Sequence, residues 1–165
     1  MTTTHDQTNW RDYADKLTPN QLAYLERWEA NPSLPVAQAE HTWAVETQHD
    51  AMLFTAKECA ETNALNARFA DFPAPPDAQT VDSWSHWGGD EYYRPFTGTV
   101  RRDGGVTVSI TGRQQNSGAV EREIQVTGSA LSDDRLTATE ARIAAPMLLA
   151  AADELDRIAQ TGALR

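Results

Sequence analysis

The chain has 165 residues, 40% of them hydrophobic, enough for one domain with a real core or a small domain with a helical appendage, and too many for wholesale disorder. Its 24 acidic residues against 14 Lys and Arg give a formal charge of −10, which opposes nucleic-acid binding as a bulk property, because that binding draws on cations that release phosphate counterions. Met1 to Gln7 lack a basic region followed by an apolar one, no apolar run approaches the ~20 residues of a membrane span, and Cys59 has no second cysteine to pair with. A cytoplasmic protein with no membrane partner is expected.

Residues 1–9 are polar and carry no element signal. The first firm one is Leu17-Thr18-Pro19-Asn20-Gln21-Leu22: Thr18 as N-cap, Pro19 in the first turn, Gln21 closing a capping box, and Leu17 and Leu22 as a hydrophobic staple. That helix should run to about Ala30, where Asn31-Pro32-Ser33-Leu34-Pro35 breaks it. From Val36 to about Phe69 there is neither Gly nor Pro, which reads as one long helix or two with a bend. Its apolar stripe is Val45, Met52, Ala56, Cys59 and Ala60, broadened by Leu53, Ala64 and Ala67; Trp10, Trp28 and Trp43 should help bury it, within the chain or against a second copy.

Phe72-Pro73-Ala74-Pro75-Pro76-Asp77 reads as a stiff linker. The expected organisation is therefore a helical region over 1–71, a Pro-rich linker over 72–80, and a sheet with a C-terminal helix over 81–165. Val81 and Trp84 begin an edge strand that Gly88-Gly89 ends. Val106-Thr-Val108-Ser-Ile110 and Val120-Glu-Arg-Glu-Ile124-Gln-Val126 alternate strictly, the period of half-buried strands. Arg102-Asp103-Gly104 and Asn116-Ser117-Gly118 read as three-residue hairpin loops. The first loop sets Val100 opposite Val106, Gly98 opposite Val108 and Phe96 opposite Ile110; the second sets Ile110 opposite Ile124 and Val108 opposite Val126. Thr99, Arg101, Thr107, Ser109, Thr111, Arg113, Glu121, Glu123 and Gln125 then share the solvent face, with Arg113 opposite Glu121. A final helix opens on the capping box Thr137-Ala-Thr-Glu140 and runs to Gly162. Its stripe is Ala141, Ala144, Leu148, Ala152, Leu155 and Ile158, and Pro146 should kink it near Arg142–Pro146. The fold class is α+β: an N-terminal helical region, then a three- to four-stranded antiparallel meander packed on a long C-terminal helix.

Several constellations touch on chemistry. Glu46-x-x-His49 on the long helix matches half of a di-metal carboxylate site, but the chain has no second Glu-x-x-His, and a solvated helix face is the default. Cys59, among Ala56 and Ala60, reads as a buried inert thiol. There is no Gly-x-Ser-x-Gly elbow and no phosphate-cradling Gly-rich loop, so no catalytic residue and no cofactor are assigned. The helix–turn–helix rhythm of 18–50 is rejected because no Lys or Arg lies between Trp28 and Ala56. The final helix opens and closes on acids, the wrong sign for a double-stranded-RNA-binding domain. Arg94, Arg101, Arg102 and Arg113 form a basic cluster on the sheet, offset by cross-strand acids. Trp84, Trp87, Tyr92, Tyr93 and Phe96 form an aromatic group that either covers one end of the sheet or serves as a docking surface, Trp and Tyr being enriched at interface hot spots.

The Gly-turn hairpin, Val120 to Val126, Leu136-Thr-Ala-Thr-Glu-Ala-Arg-Ile143 and Leu148 to Ile158 together resemble short actinobacterial and mycobacteriophage-type proteins of unknown function, some from mobile elements. The resemblance covers roughly residues 98–160 and implies fold and source but no activity. The expected function is that of a non-catalytic binding or regulatory protein acting through protein–protein contacts, itself as a homodimer through the long helix being one partner. Trp84, Trp87, Tyr92, Tyr93, Arg101 and Arg113 are the interaction candidates. Two alternatives stand beside it: an acidic mobile-element antagonist that covers a basic host surface, and a metal-dependent enzyme using Glu46 and His49.

Overall fold

A computed structural model describes residues 9–31, 47–128 and 136–162. The chain is α+β and divides into two compact units, Met1–Ala70 and Asp71–Arg165.

In the first unit a 3-10 helix, Trp10–Lys16, precedes α1 (Pro19–Ala30) and α2 (Gln48–Arg68). Asn9 caps the 3-10 helix, with Asp12 returning a bond to the Asn9 amide at 3.0 Å. The capping box of α1 is present as the sequence implies: Gln21 N donates to Thr18 Oγ1 at 3.3 Å and Thr18 N donates to Gln21 Oε1 at 2.8 Å. Leu17 and Leu22 both pack against the core made by Trp10, Leu25, Trp28, Ala51, Met52 and Ala56. Thr47 caps α2 through the Asp50 amide, so a helix starts there; Val36 to Glu46, expected to belong to the same long helix, lie outside the described residues, as does Trp43. Met52, Ala56 and Ala60 are buried, the stripe read from the sequence, while Cys59 is half-buried beside them.

The second unit is an antiparallel sheet with one helix. Its strands are β1 (Thr80–Val81), β2 (Ser85–Gly88), β3 (Glu91–Asp103), β4 (Val106–Gln115) and β5 (Val120–Thr127), followed by α3 (Ala138–Gly162). β1 and β2 lie on the same edge of β3, so the order across the sheet is β1/β2, β3, β4, β5. The β4–β5 hairpin follows the expected register, with Ile110 opposite Ile124, Val108 opposite Val126 and Arg113 opposite Glu121. Its loop is Asn116-Ser117-Gly118: the Gly118 amide donates to Gln115 O at 2.9 Å, and Gly118 takes a φ of +90° that favours glycine.

The β3–β4 hairpin differs from the expectation. Its turn is the two-residue pair Gly104-Gly105, with φ of +51° and +80°, the backbone of a type I′ turn, so Asp103 pairs with Val106 and Arg101 with Val108. Val100 therefore faces Ser109, not Val106. A shift between Thr97 and Val100 then sets Gly98 and Thr99 against Ile110, a one-residue bulge. Past the bulge Phe96 pairs with Gly112, on the same face as Ile110. The turn and the bulge offset one another: Phe96 reaches the apolar face, but Thr99 and Arg101, expected on the solvent face, lie on the face that α3 covers.

That covered face carries Val106, Val108 and Ile110, all 1% exposed or less, with Ile124 and Val126. α3 lays Ile143, Ala144, Met147, Leu148, Ala151 and Leu155 on them. Its capping box is formed, Thr137 N donating to Glu140 Oε2 at 2.8 Å and Glu140 N to Thr137 Oγ1 at 3.2 Å. Ala141 and Ala152, expected in the stripe, are exposed; the inward face is rotated toward Ala144 and Ala151, because Leu136 and Ile143 fix how the helix enters. The helix continues through Pro146.

The Pro-rich segment belongs to this second unit and straps the other end of the same face. Phe72 O accepts from Arg94 Nη2 at 3.0 Å, Pro73 O accepts from Gln114 Nε2 at 3.0 Å, and Asp77 meets Arg122 in a two-pronged ion pair at 2.6 and 2.8 Å. One face of the sheet is thus covered by helix and strap, and on the other Arg113, Glu121, Glu123 and Gln125 are exposed while Ser109 is buried.

Candidate functional site

On the open face, Trp87, Tyr93 and Arg113 come together from three adjacent strands. The β2–β3 register shifts between His86 and Gly88, which sets Trp87 apart from its neighbours. Its ring meets Tyr93 edge-on at 5.2 Å, and the Arg113 guanidinium sits 5.1 Å from the Trp87 ring centre and 5.7 Å from that of Tyr93. Trp87 is 59% exposed even so. Glu121, the cross-strand partner of Arg113, and Glu123 rim the cluster on β5.

The other candidates separate from this group. Trp84 is 2% exposed, with Phe72 edge-on at 5.6 Å and the Arg94 guanidinium 5.0 Å from its ring, so it holds the strap to the sheet and is no docking residue. Burial lowers the pKa of Arg94, which donates to Gln114 Oε1 at 2.8 Å. Tyr92 lies on the opposite side of its strand from Tyr93, beside the His86 ring at 5.1 Å, and its backbone clamps Asn116 at the β4–β5 loop. His86 itself is engaged with Gly89 O at 2.7 Å.

Arg101 is the clearest correction. It reaches α3, where Glu154 accepts from Thr99 Oγ1 at 2.6 Å and from Arg101 Nη2 at 2.5 Å, and only 22% of the Arg101 side chain is exposed. The Thr99 hydroxyl and then the Arg101 guanidinium hold the Glu154 carboxyl below the usual carboxylate range. Arg101 is thus engaged as a fastening between sheet and helix, on the opposite face from the one the sequence implies.

The metal reading has no geometry to support it: Glu46 lies outside the described residues, His49 is exposed at the start of α2, and among the described residues no three His, Cys, Asp or Glu gather as a ligand set. Burial, with Glu58 nearby, pushes the Cys59 thiol up, which disfavours the thiolate that nucleophilic chemistry needs.

A second feature was not legible in the sequence. Above the first half of β5, between strap and helix, a cleft of about 780 Å³ is lined by Pro76 and Asp77 on one side, Val120 and Arg122 beneath, and Leu155 and Ile158 of α3 on the other. Arg122 holds the Asp77 carboxyl below the usual range. The sequence pattern places Leu155 and Ile158 in a core stripe and the segment that faces them in a linker, and neither implies a cleft.

Neither a family model, nor a curated protein, nor a solved structure matches the chain. No helix among the described residues is long and apolar enough to cross a membrane.

Proposed function

We propose that this chain is a non-catalytic cytoplasmic binding protein that acts through protein–protein contacts, with Trp87, Tyr93 and Arg113 as the anchor of its docking face. The observation that carries this reading is Trp87: a large ring 59% exposed, yet braced by an aromatic neighbour and a stacked guanidinium. Trp, Tyr and Arg are the side chains that dominate binding energy at interfaces, and a ring already held in place costs little entropy to bury. A protein partner suits the site better than nucleic acid, because Glu121 and Glu123 stand beside the one cation of the cluster in a chain of charge −10.

The test is affinity capture from the native host on the immobilised chain, followed by calorimetry with the captured partner. Trp87→Ala should weaken binding by about thirtyfold or more, the mark of a hot spot, and Arg113→Ala by about tenfold, with the circular dichroism unchanged. A partner that binds both variants as tightly as the parent chain would refute the assignment.

A further inference from the structure

We propose that the outer edge of β5, with the cleft beside it, receives an extended segment of a partner protein in which apolar residues alternate with Lys or Arg, adding it as a further strand of the sheet. This surface shares Glu121 and Glu123 with the rim of the Trp87 cluster but does not depend on the Trp87 ring.

The backbone is the first argument. Among the described residues β5 pairs with β4 alone. The loop bond from Gln115 N to Ala119 O makes those two residues a bonded pair, and bonded pairs alternate along an antiparallel ladder. Glu121, Glu123 and Gln125 therefore turn their backbone groups toward β4, whereas Val120, Arg122, Ile124 and Val126 turn theirs outward. Edge strands that are closed to partners carry Pro, Lys, an inward-pointing charge or a bulge, or lie under a helix or loop. β5 has no Pro or Lys, its ladder with β4 runs from Thr127 to Val120 without a bulge, and its inward charge, Arg122, is neutralised by Asp77.

The side chains select what would lie there. Residues of an added strand directly opposite Val120, Arg122 and Ile124 share the covered face, and those opposite Val120 and Arg122 enter the cleft, whose apolar walls are Val120, Leu155 and Ile158. Alternate residues of the added strand share the open face with Glu121 and Glu123, both exposed. Apolar on one side and cationic on the other is the complementary pattern. A second copy's β5 brings the same two glutamates to that face, so self-pairing sets acid beside acid.

The probe is a blocked heptapeptide of alternating lysine and valine, titrated against the full chain by fluorescence anisotropy. An added strand whose valines face the cleft turns its valine amides toward β5 and its lysine amides away. N-methylation of the valines should weaken binding by about tenfold or more, and N-methylation of the lysines should leave it unchanged. Amide exchange at Arg122, Ile124 and Val126 should slow when the peptide binds. Ile158→Asp and Glu123→Lys should each weaken it by about tenfold, while Trp87→Ala, which tests the docking face, leaves it intact. Equal binding of the two N-methylated peptides would show adhesion of charge alone and overturn the proposal. So would unchanged exchange at the three amides, or a dimer in sedimentation in which they are already protected without peptide.

Discussion

Glu154→Ala tests the fastening between sheet and helix. The substitution removes the acceptor shared by Thr99 and Arg101, and Arg101 Nη1 is already buried without a hydrogen-bond partner, so both terminal nitrogens of the guanidinium are left unpaired. Breaking a fully buried pair from one side costs about 3–5 kcal/mol, and a hydrogen bond to a charged group contributes about 1.5–3 kcal/mol. With 18% of the Glu154 and 22% of the Arg101 side chain exposed, water offsets part of the loss, and we expect about 2–3 kcal/mol. For a unit of this size that lowers the melting temperature by about 10–20 °C. Thermal and urea unfolding followed by circular dichroism measure it, and Glu154→Gln, which keeps an acceptor for Thr99, should recover part of the loss. A cost below about 0.5 kcal/mol, the value of a solvent-exposed pair, would refute the burial of this contact and with it the bulge that creates it.

Gly112→Ala should cost about 2–3 kcal/mol or more by urea denaturation, because a Cβ there would sit 2.3 Å from Glu121 O and 2.5 Å from the Phe96 ring. Trp84→Ala should cost about 3–5 kcal/mol, whereas Trp87→Ala should cost under about 1 kcal/mol, since one ring is buried and the other mostly in water. The folded-state pKa values of Asp77 and Glu154 are both depressed, so their contribution is complete above the ordinary carboxylate range and is lost as pH falls through that range and on to the lowered values. Urea midpoints of the second unit should therefore drop on acidification below about pH 4, and the Asp77→Asn, Glu154→Gln double variant should show a flatter profile.

The parts legible in the sequence are those fixed by local chemistry. Thr18 and Thr137 cap their helices because the residue three positions on can return the bond, and Asn116-Ser117-Gly118 sets the β4–β5 register because Gly118 alone there takes a positive φ readily. The β3–β4 register departs from the sequence expectation where two local options compete. Arg102-Asp103-Gly104 fits a three-residue loop, but the adjacent glycines at 104 and 105 permit the type I′ turn, whose twist matches the strands. An internal Gly98 was the available sign of a bulge. Because turn and bulge offset one another, the alternation of Val106, Val108 and Ile110 looked consistent with the wrong pairing. The site was half legible for the same reason. Trp87, Tyr93 and Arg113 could be named, yet period-2 patterning does not separate Trp87 from Trp84, whose burial depends on Phe72 and Arg94 twelve and ten residues away in sequence. The strap was unreadable because proline-rich composition signals extension alike whether a segment lies free or across a sheet.

The allocation of side chains to the two faces rests on the β3–β4 pairing, and cross-strand nuclear Overhauser contacts report it directly. The account predicts contacts of Arg101 with Val108 and of Asp103 with Val106, together with proximity of Arg101 to Glu154. Contacts of Val100 with Val106 and of Gly98 with Val108 would contradict it, returning Arg101 to the open face.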